Sequence, residues 1–274
     1  MQSNKKYYIW KNLDVESVPI EEAFAFFREE AQEKPIISLV GGGGKTSTMY
    51  AIAEGFWRQG KRVLVTTTTH IRGAEIGVED LLKEQVTENT AVFAKNLQEV
   101  EQLWQMNRIV VIGTGNAGEK VSMPESEFLS EAMAKAETVI IEADGAKCLP
   151  CKVPIENEPV LLSECNVVVG VMGMDALGQP ATDICFRYER AKEVLGFEEG
   201  HQISQMDMAR ILVSEQGTRK GVEDRDYYIV LNKCDTSELL AAAGEIAGMV
   251  KESLGDTKLK QVVCSCYQGN IRKK

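Results

Sequence analysis

Short apolar runs alternate with helical patterns along most of this chain. The runs are "IISLV" (36–40), "RVLVTT" (62–67), "RIVVIG" (108–113), "TVIIEA" (138–143), "NVVVGVM" (166–172), "YYIVLN" (227–232) and "QVVCS" (261–265). They are rich in valine and isoleucine, which suits parallel strands buried on both faces. Between several of them lie helical stretches. In "STMYAIAEGFWRQG", Met49, Ile52 and Phe56 fall on one face and Gly60 ends the element. The alternation predicts an α/β fold with a doubly wound, mostly parallel sheet. Ahead of it, residues 17–33 read as a helix opened by Ser17 and Pro19 and stopped by Pro35.

Composition narrows the class. The chain has 274 residues and a net charge of −10, with apolar and charged fractions of an ordinary globular protein. The acidic balance and the lack of a long Lys/Arg run argue against a nucleic-acid partner. No apolar stretch reaches the roughly 20 residues of a membrane span, and no apolar segment follows the lysines of "MQSNKKYYIW" as it would in a signal peptide. A cytoplasmic protein without membrane partners is expected. Seven cysteines at scattered spacing suit reduced thiols, and two histidines, His70 and His201, exclude a His-rich zinc site.

The chemistry is densest in "ISLVGGGGKTSTMYA" (37–51). A strand, a glycine turn and a helix start are the context a phosphate loop requires. The long form G-x-x-x-x-G-K-[ST] is excluded, because Leu39 stands at its first glycine. The compact G-x-x-G-K-T-[ST] form fits. Gly41, Gly42, Gly43 and Gly44 can curl their N–H groups into an anion nest at a helix N-terminus. Lys45 would reach the β/γ-phosphates, Thr46 would bind Mg²⁺, and Ser47 would assist. The fold expected is therefore of the P-loop NTPase type, with a nucleotide-binding α/β domain over 35–274 and an N-terminal helical appendage over 1–34.

Other segments fall where strand ends should face the same crevice. "TTTTH" (66–70) offers the hydroxyls of Thr67 and Thr68 for Mg²⁺ or γ-phosphate. "TVIIEADGAK" (138–147) delivers Glu142 and Asp144, candidates for the Mg²⁺ shell or for positioning the attacking water. Lys147 either touches phosphate or is solvated. "YYIVLNKCD" ends in Asn232-Lys233-x-Asp235, the guanine-reading pattern: a carboxylate accepts from guanine N1–H and N2–H₂, and adenine has no matching pair. "VVCSCYQG" (262–269) supplies a small-residue turn for the base. Gly113-x-Gly115-x-x-Gly118 lacks an immediate helix, with Pro124 intervening, and reads as a loop rather than a dinucleotide fingerprint. Cys148 and Cys151 read as small loop residues rather than a redox or metal half-site.

Together these motifs resemble the YqeC family, a resemblance that implies an accessory protein of selenium-dependent molybdenum hydroxylases. The resemblance runs from about residue 35 to the end and rests on "SLVGGGGKTS", "GKRVLVTTTTHI", "IEADGAK", "PIENEPV", "VVVGVMGMDALGQP", "ISQMDMARILVSEQGTRKGV" and "VLNKCD". It implies a protein that works with the maturation machinery of a molybdenum hydroxylase. Two departures stand out. Where the family often has a His-Arg-Pro-Glu-like segment, this chain has Phe186-Arg187-Tyr188-Glu189, and Cys148 and Cys151 replace basic or apolar residues. The expected activity is Mg²⁺-dependent binding and hydrolysis of GTP or ATP, with Lys45, Glu142 and Asp144 catalytic and Thr46, Glu142 and Asp144 holding the metal. An ATP-dependent transferase (a Mur-like ligase or small-molecule kinase) and a non-catalytic nucleotide switch are the rivals. Related switch proteins suggest a homodimer.

Overall fold

The computed structural model describes residues 5–11, 14–24, 34–69, 91–115 and 122–267. The chain opens with β1 (Lys5–Lys11), β2 (Asp14–Val18), α1 (Ile20–Ala23), β3 (Ile36–Gly41), α2 (Lys45–Arg58) and β4 (Val63–Thr67). It continues through β5 (Ala91–Ala94), α3 (Leu97–Gln105), β6 (Ile109–Ile112), α4 (Ser126–Lys135), β7 (Thr138–Glu142), β8 (Cys151–Lys152) and β9 (Val167–Gly173). The last part holds α5 (Ala181–Ile184), β10 (Cys185–Phe186), α6 (Tyr188–Leu195), α7 (Gln205–Val213), β11 (Asp226–Asn232), α8 (Ser237–Lys258) and β12 (Leu259–Tyr267).

Ten strands form one sheet in the order β2-β1-β12-β11-β9-β3-β7-β4-β6-β5. From β12 to β5 every pairing is parallel; β1 alone is reversed, running antiparallel to both of its neighbours, β12 and β2. The α/β, doubly wound, mostly parallel sheet is therefore as expected. Side-chain alternation divides its core in two. Ile37 and Leu39 pack with Met49, Ile52 and Phe56 of α2 on one face. Ile36 and Val40 join Ile211 and Leu212 of α7 and Ile246 and Val250 of α8 on the other. No helix among the described residues is long and apolar enough to cross a membrane.

Residues 5–11 and 14–18, expected within a helical appendage, instead extend the sheet. Tyr7 and Ile9 alternate inward, and β1 pairs with β12 at the far end of the chain. A partner more than 250 residues away leaves no local trace, so "YYIW" was overshadowed by the helical pattern after it. Of that helix, Ile20–Ala23 is described, and residues 25–33 lie outside the described residues.

β3 is the switch point of the sheet. From it the chain moves out to β4, β5 and β6, returns to β7 beside β3, and then builds β9, β11 and β12 on the other side. Ligands of open α/β sheets bind at the carboxyl ends of strands flanking such a point. Here those ends carry Gly41, Glu142, Gly173 and Asn232.

Candidate nucleotide site

The glycine run begins within β3 and ends where α2 starts. Gly41, Gly43 and Gly44 hold φ of +97°, +72° and +107°, a region side chains avoid. Space is equally tight. A Cβ on Gly43 would lie 2.0 Å from Gly173 N, and one on Gly44 would lie 2.1 Å from Asn232 Nδ2. The loop is pinned by neighbours: Gly42 N–H donates to Val171 O and Gly43 N–H to Leu149 O, both at 2.9 Å. An anion in the cradle would thus be met chiefly by the N–H groups that open α2, which have no intrahelical acceptor.

Lys45 is buried. Its Nζ donates to Gly41 O at 2.6 Å and pairs with Asp144 Oδ1 at 3.1 Å. Asp144 Oδ2 accepts from Gly41 N–H at 3.1 Å and pairs with Lys152 Nζ at 3.1 Å. Lys152, fully buried, also meets Gly145 O at 2.7 Å and Glu158 Oε2 at 3.0 Å. Asp144 is therefore held between two ammonium groups and locked to the loop. Beside it, Thr46 Oγ1 donates to Glu142 Oε2 at 2.9 Å. Burial pushes the Glu142 carboxyl above the usual carboxylate range, even though Lys45 and the Thr46 hydrogen bond oppose that shift. A buried carboxylate bonded to a hydroxyl at a phosphate loop suits a hard cation such as Mg²⁺. Asp144, already held by two lysines, suits one less well.

The Asn-Lys-x-Asp turn is tied to the same loop. Asn232 Nδ2 donates to Gly43 O at 2.8 Å, and Ser265 Oγ donates to Asn232 Oδ1 at 2.6 Å. Cys234 N–H donates to Ser265 O at 2.9 Å, so β11 and β12 hold the Asn-Lys-x-Asp turn jointly. Lys233 takes a φ of +63° and its Nζ reaches Asp175 Oδ2 at 2.6 Å. Asp235 is half-buried, and Lys5 of β1 lies within reach of its charge. Burial lowers the pKa of that amine to about 8, although Asp235 and Glu54 pull the other way.

The family model for the YqeC protein matches residues 37–189, more than half of the chain. The chain belongs to the YqeC family. YqeC of Escherichia coli strain K12 is 28% identical over 195 residues, covering 70% of this chain and 73% of that protein. Among solved structures, the signal recognition particle 54 kDa protein of Aeropyrum pernix K1 in complex with GDP aligns with a TM-score of 0.39 at 14% identity. That alignment covers 89% of this chain and 46% of the other, so this chain spans less than half of that structure's length. The YqeC match takes in the glycine loop, Glu142, Asp144, Lys152, Glu158 and Arg187. It ends before Asn232.

The residues singled out from the YqeC-like sequence divide into those that converge and those that do not. Gly41 to Thr46, Glu142, Asp144 and Asn232 meet around the loop, with Ser47 half-buried in the next position of α2. The threonine hydroxyls turn to the backbone: Thr67 Oγ1 donates to Glu142 O at 2.9 Å and Thr68 Oγ1 to Val160 O at 2.7 Å. The segment after β6 reaches its next described helix only at Ser126; Gly118 and His70 lie outside the described residues. His201 stacks on Phe197 and bonds Asp207 at 2.8 Å, within the N-terminal cap of α7. Cys148 is exposed, while Cys151 is buried with its Sγ 3.3 Å from that of Cys185. No group of three metal-ligating His, Cys, Asp or Glu side chains occurs among the described residues. Sequence reasoning missed Lys152, Glu158 and Asp175. The one available signal for Lys152 was a lone charge inside the apolar stretch Cys151-Lys152-Val153.

Two carboxylates outside the cradle give the protein an acid limit. Burial works to raise the Glu158 pKa, but its hydrogen bond and ion pair with Lys152, joined by Ile155 N–H and Arg187, hold it below the usual range. Asp207 behaves likewise: burial is outweighed by Ser204 and His201. A carboxyl whose folded pKa is depressed stabilises the fold above its unfolded value, near 4, and loses that contribution as pH falls through the folded value. Denaturant titrations from pH 7 down to about 3 should therefore show stability falling below pH ~4.5, and less so in Asp207→Asn. An equal fall in that variant would remove Asp207 from the account.

Proposed function

We propose that this chain is an Mg²⁺-dependent nucleotide hydrolase, selective for GTP over ATP, that serves as an accessory protein in maturing a selenium-dependent molybdenum hydroxylase. The observation that carries the nucleotide reading is the Asn232 clamp. A single amide ties the turn that would read the base to the loop that would cradle the phosphates. One nucleotide spans both, and a rigid link between them sets its length. The maturation role rests on what the resemblance to the YqeC family implies.

In this reading Lys45 leaves Gly41 O for the β/γ-phosphates, and Lys152 remains to balance Asp144. Thr46 and Glu142 would hold Mg²⁺, which supplies charge neutralisation at the phosphates when bound. Asp144 keeps Gly41 N–H and Lys45 in place and so sets the donors of the cradle. Catalysis is positioning plus electrostatic stabilisation. An ATP-dependent transferase is the second reading, favoured by the cationic side chains next to the loop.

Competitive binding of GTP and ATP with Mg²⁺, in wild type and Asp235→Ala, tests the base reader. The wild type should prefer GTP, and the variant should lose roughly 10- to 100-fold in GTP affinity, with ATP little changed, as befits a charged hydrogen-bond acceptor. Equal wild-type affinities, or an ATP preference untouched by the substitution, would move the assignment to the transferase.

A further inference from the structure

The ion pairs that start at Lys45 do not stop at the loop. They run through Asp144 and Lys152 to Glu158 and end at Arg187, whose Nη2 lies 3.4 Å from Glu158 Oε1. Arg187 is 38% exposed and Lys147 is exposed. Both gather at the Phe186 ring, with Arg187 Cζ 4.6 Å and Lys147 Nζ 5.3 Å from its centroid, and Lys152 Nζ at 5.6 Å. Lys45, Lys152, Arg187 and Lys147 thus stand among three carboxylates, Asp144, Glu158 and Glu142, the last of which also accepts from Thr46 on the loop side. Lys147 has no carboxylate partner among the described residues.

The backbone is held unusually here. Lys147, Cys148 and Arg187 adopt φ of +49°, +60° and +71°, conformations that persist only where the surroundings fix them and that cluster at functional sites. A Cβ on Gly145 would meet nothing within 4 Å, so the backbone just before Lys147 is not crowded. Clustered cations repel one another unless an anion joins them, and planar arginine forks suit oxyanions.

We propose that Lys147 and Arg187, at the Phe186 ring, bind the oxyanion group of a second small molecule, a phosphate or a carboxylate, beside the glycine loop. The proposal rests on the nucleotide reading above for its purpose but not for its test. Glu158 would share Arg187 with the incoming anion, and Lys152 would connect that event to Asp144 and the loop.

Calorimetric titration with sodium phosphate and, separately, sodium acetate at constant ionic strength decides it. The glycine loop is silenced in two ways: filled with a non-hydrolysable GTP analogue in the wild type, and disabled by Lys45→Ala without nucleotide. Saturable binding of one probe should persist in both forms. It should weaken about tenfold or more in Lys147→Ala/Arg187→Ala, while affinity for the GTP analogue stays within about twofold. Lys147→Arg should retain the binding, which guards against a merely misfolded double variant. Stronger binding of phosphate than acetate assigns a phosphate ligand, and the reverse a carboxylate. No saturable binding of either probe in the silenced forms, or binding indifferent to the double substitution, overturns the proposal. Failure of the GTP analogue to bind the wild type would sink the nucleotide reading alone, since the Lys45→Ala titration still reports on this site.

Discussion

Lys152→Met should destabilise the protein by about 3–5 kcal/mol, the cost of removing one partner from a buried ion pair. Methionine matches the stem of lysine in length, so packing around β8 is largely kept. What is lost is the charge between Asp144 and Glu158. Asp144 retains Lys45 and Gly41 N–H, and Glu158 retains Arg187, which argues for the lower end of that range. Denaturant unfolding at pH 7 gives the number directly. Adding Glu158→Gln to the variant should cost less than the two single changes summed, because the second change removes a charge the first left stranded. A loss under about 1 kcal/mol would place Lys152 among ordinary surface pairs and break the link drawn between the loop and Arg187.

Gly43→Ala should abolish nucleotide binding, with affinity falling at least about 100-fold. The new Cβ would come 2.0 Å from Gly173 N and 2.5 Å from Gly173 Cα, both backbone atoms of β9 that cannot step aside. Its φ of +72° adds about 1–2 kcal/mol for any residue with a Cβ. The control is Gly178→Ala. That glycine has nearly the same φ, +75°, but nothing lies within 4 Å of its would-be Cβ. It should lose a little stability and no nucleotide affinity. Fluorescent-nucleotide titration and chemical denaturation of both variants separate the two costs. Normal binding by Gly43→Ala would mean that the loop does not need this approach to β9.

The parallel core of the sheet was legible because its strands are buried on both faces. "IISLV", "TVIIE" and "VVVGVM" have to be apolar throughout, so their composition alone gives them away. The glycine loop was legible because backbone geometry forces its residue types: positive φ and a β9 backbone in contact leave no other choice at Gly43. The edge was harder. β1 and β2 carry "KKYYIWK" and "DVESV", whose alternation is short and whose partner lies at the other end of the chain. The charged network around Asp144 was harder still. Lys152 and Glu158 sit in a two-residue strand and an irregular loop, so no periodicity marks them, and their roles arise only when β8 folds against the loop.

Ser265, which braces Asn232, lies on β12, and β12 is also the strand that receives β1. The two halves of the candidate pocket therefore mature at different times during synthesis. β3, α2, β7 and β9, which hold the glycine loop, all leave the ribosome before β12 does, since synthesis runs from the N-terminus. The base side has no brace until residues 259–267 are free to pair. A nascent chain stalled before that point would lack the Ser265 brace on Asn232, and its β1–β2 pair would have no β12 to dock on. Completion of the last strand then serves both at once, linking the docking of the N-terminal strand pair to the assembly of the pocket.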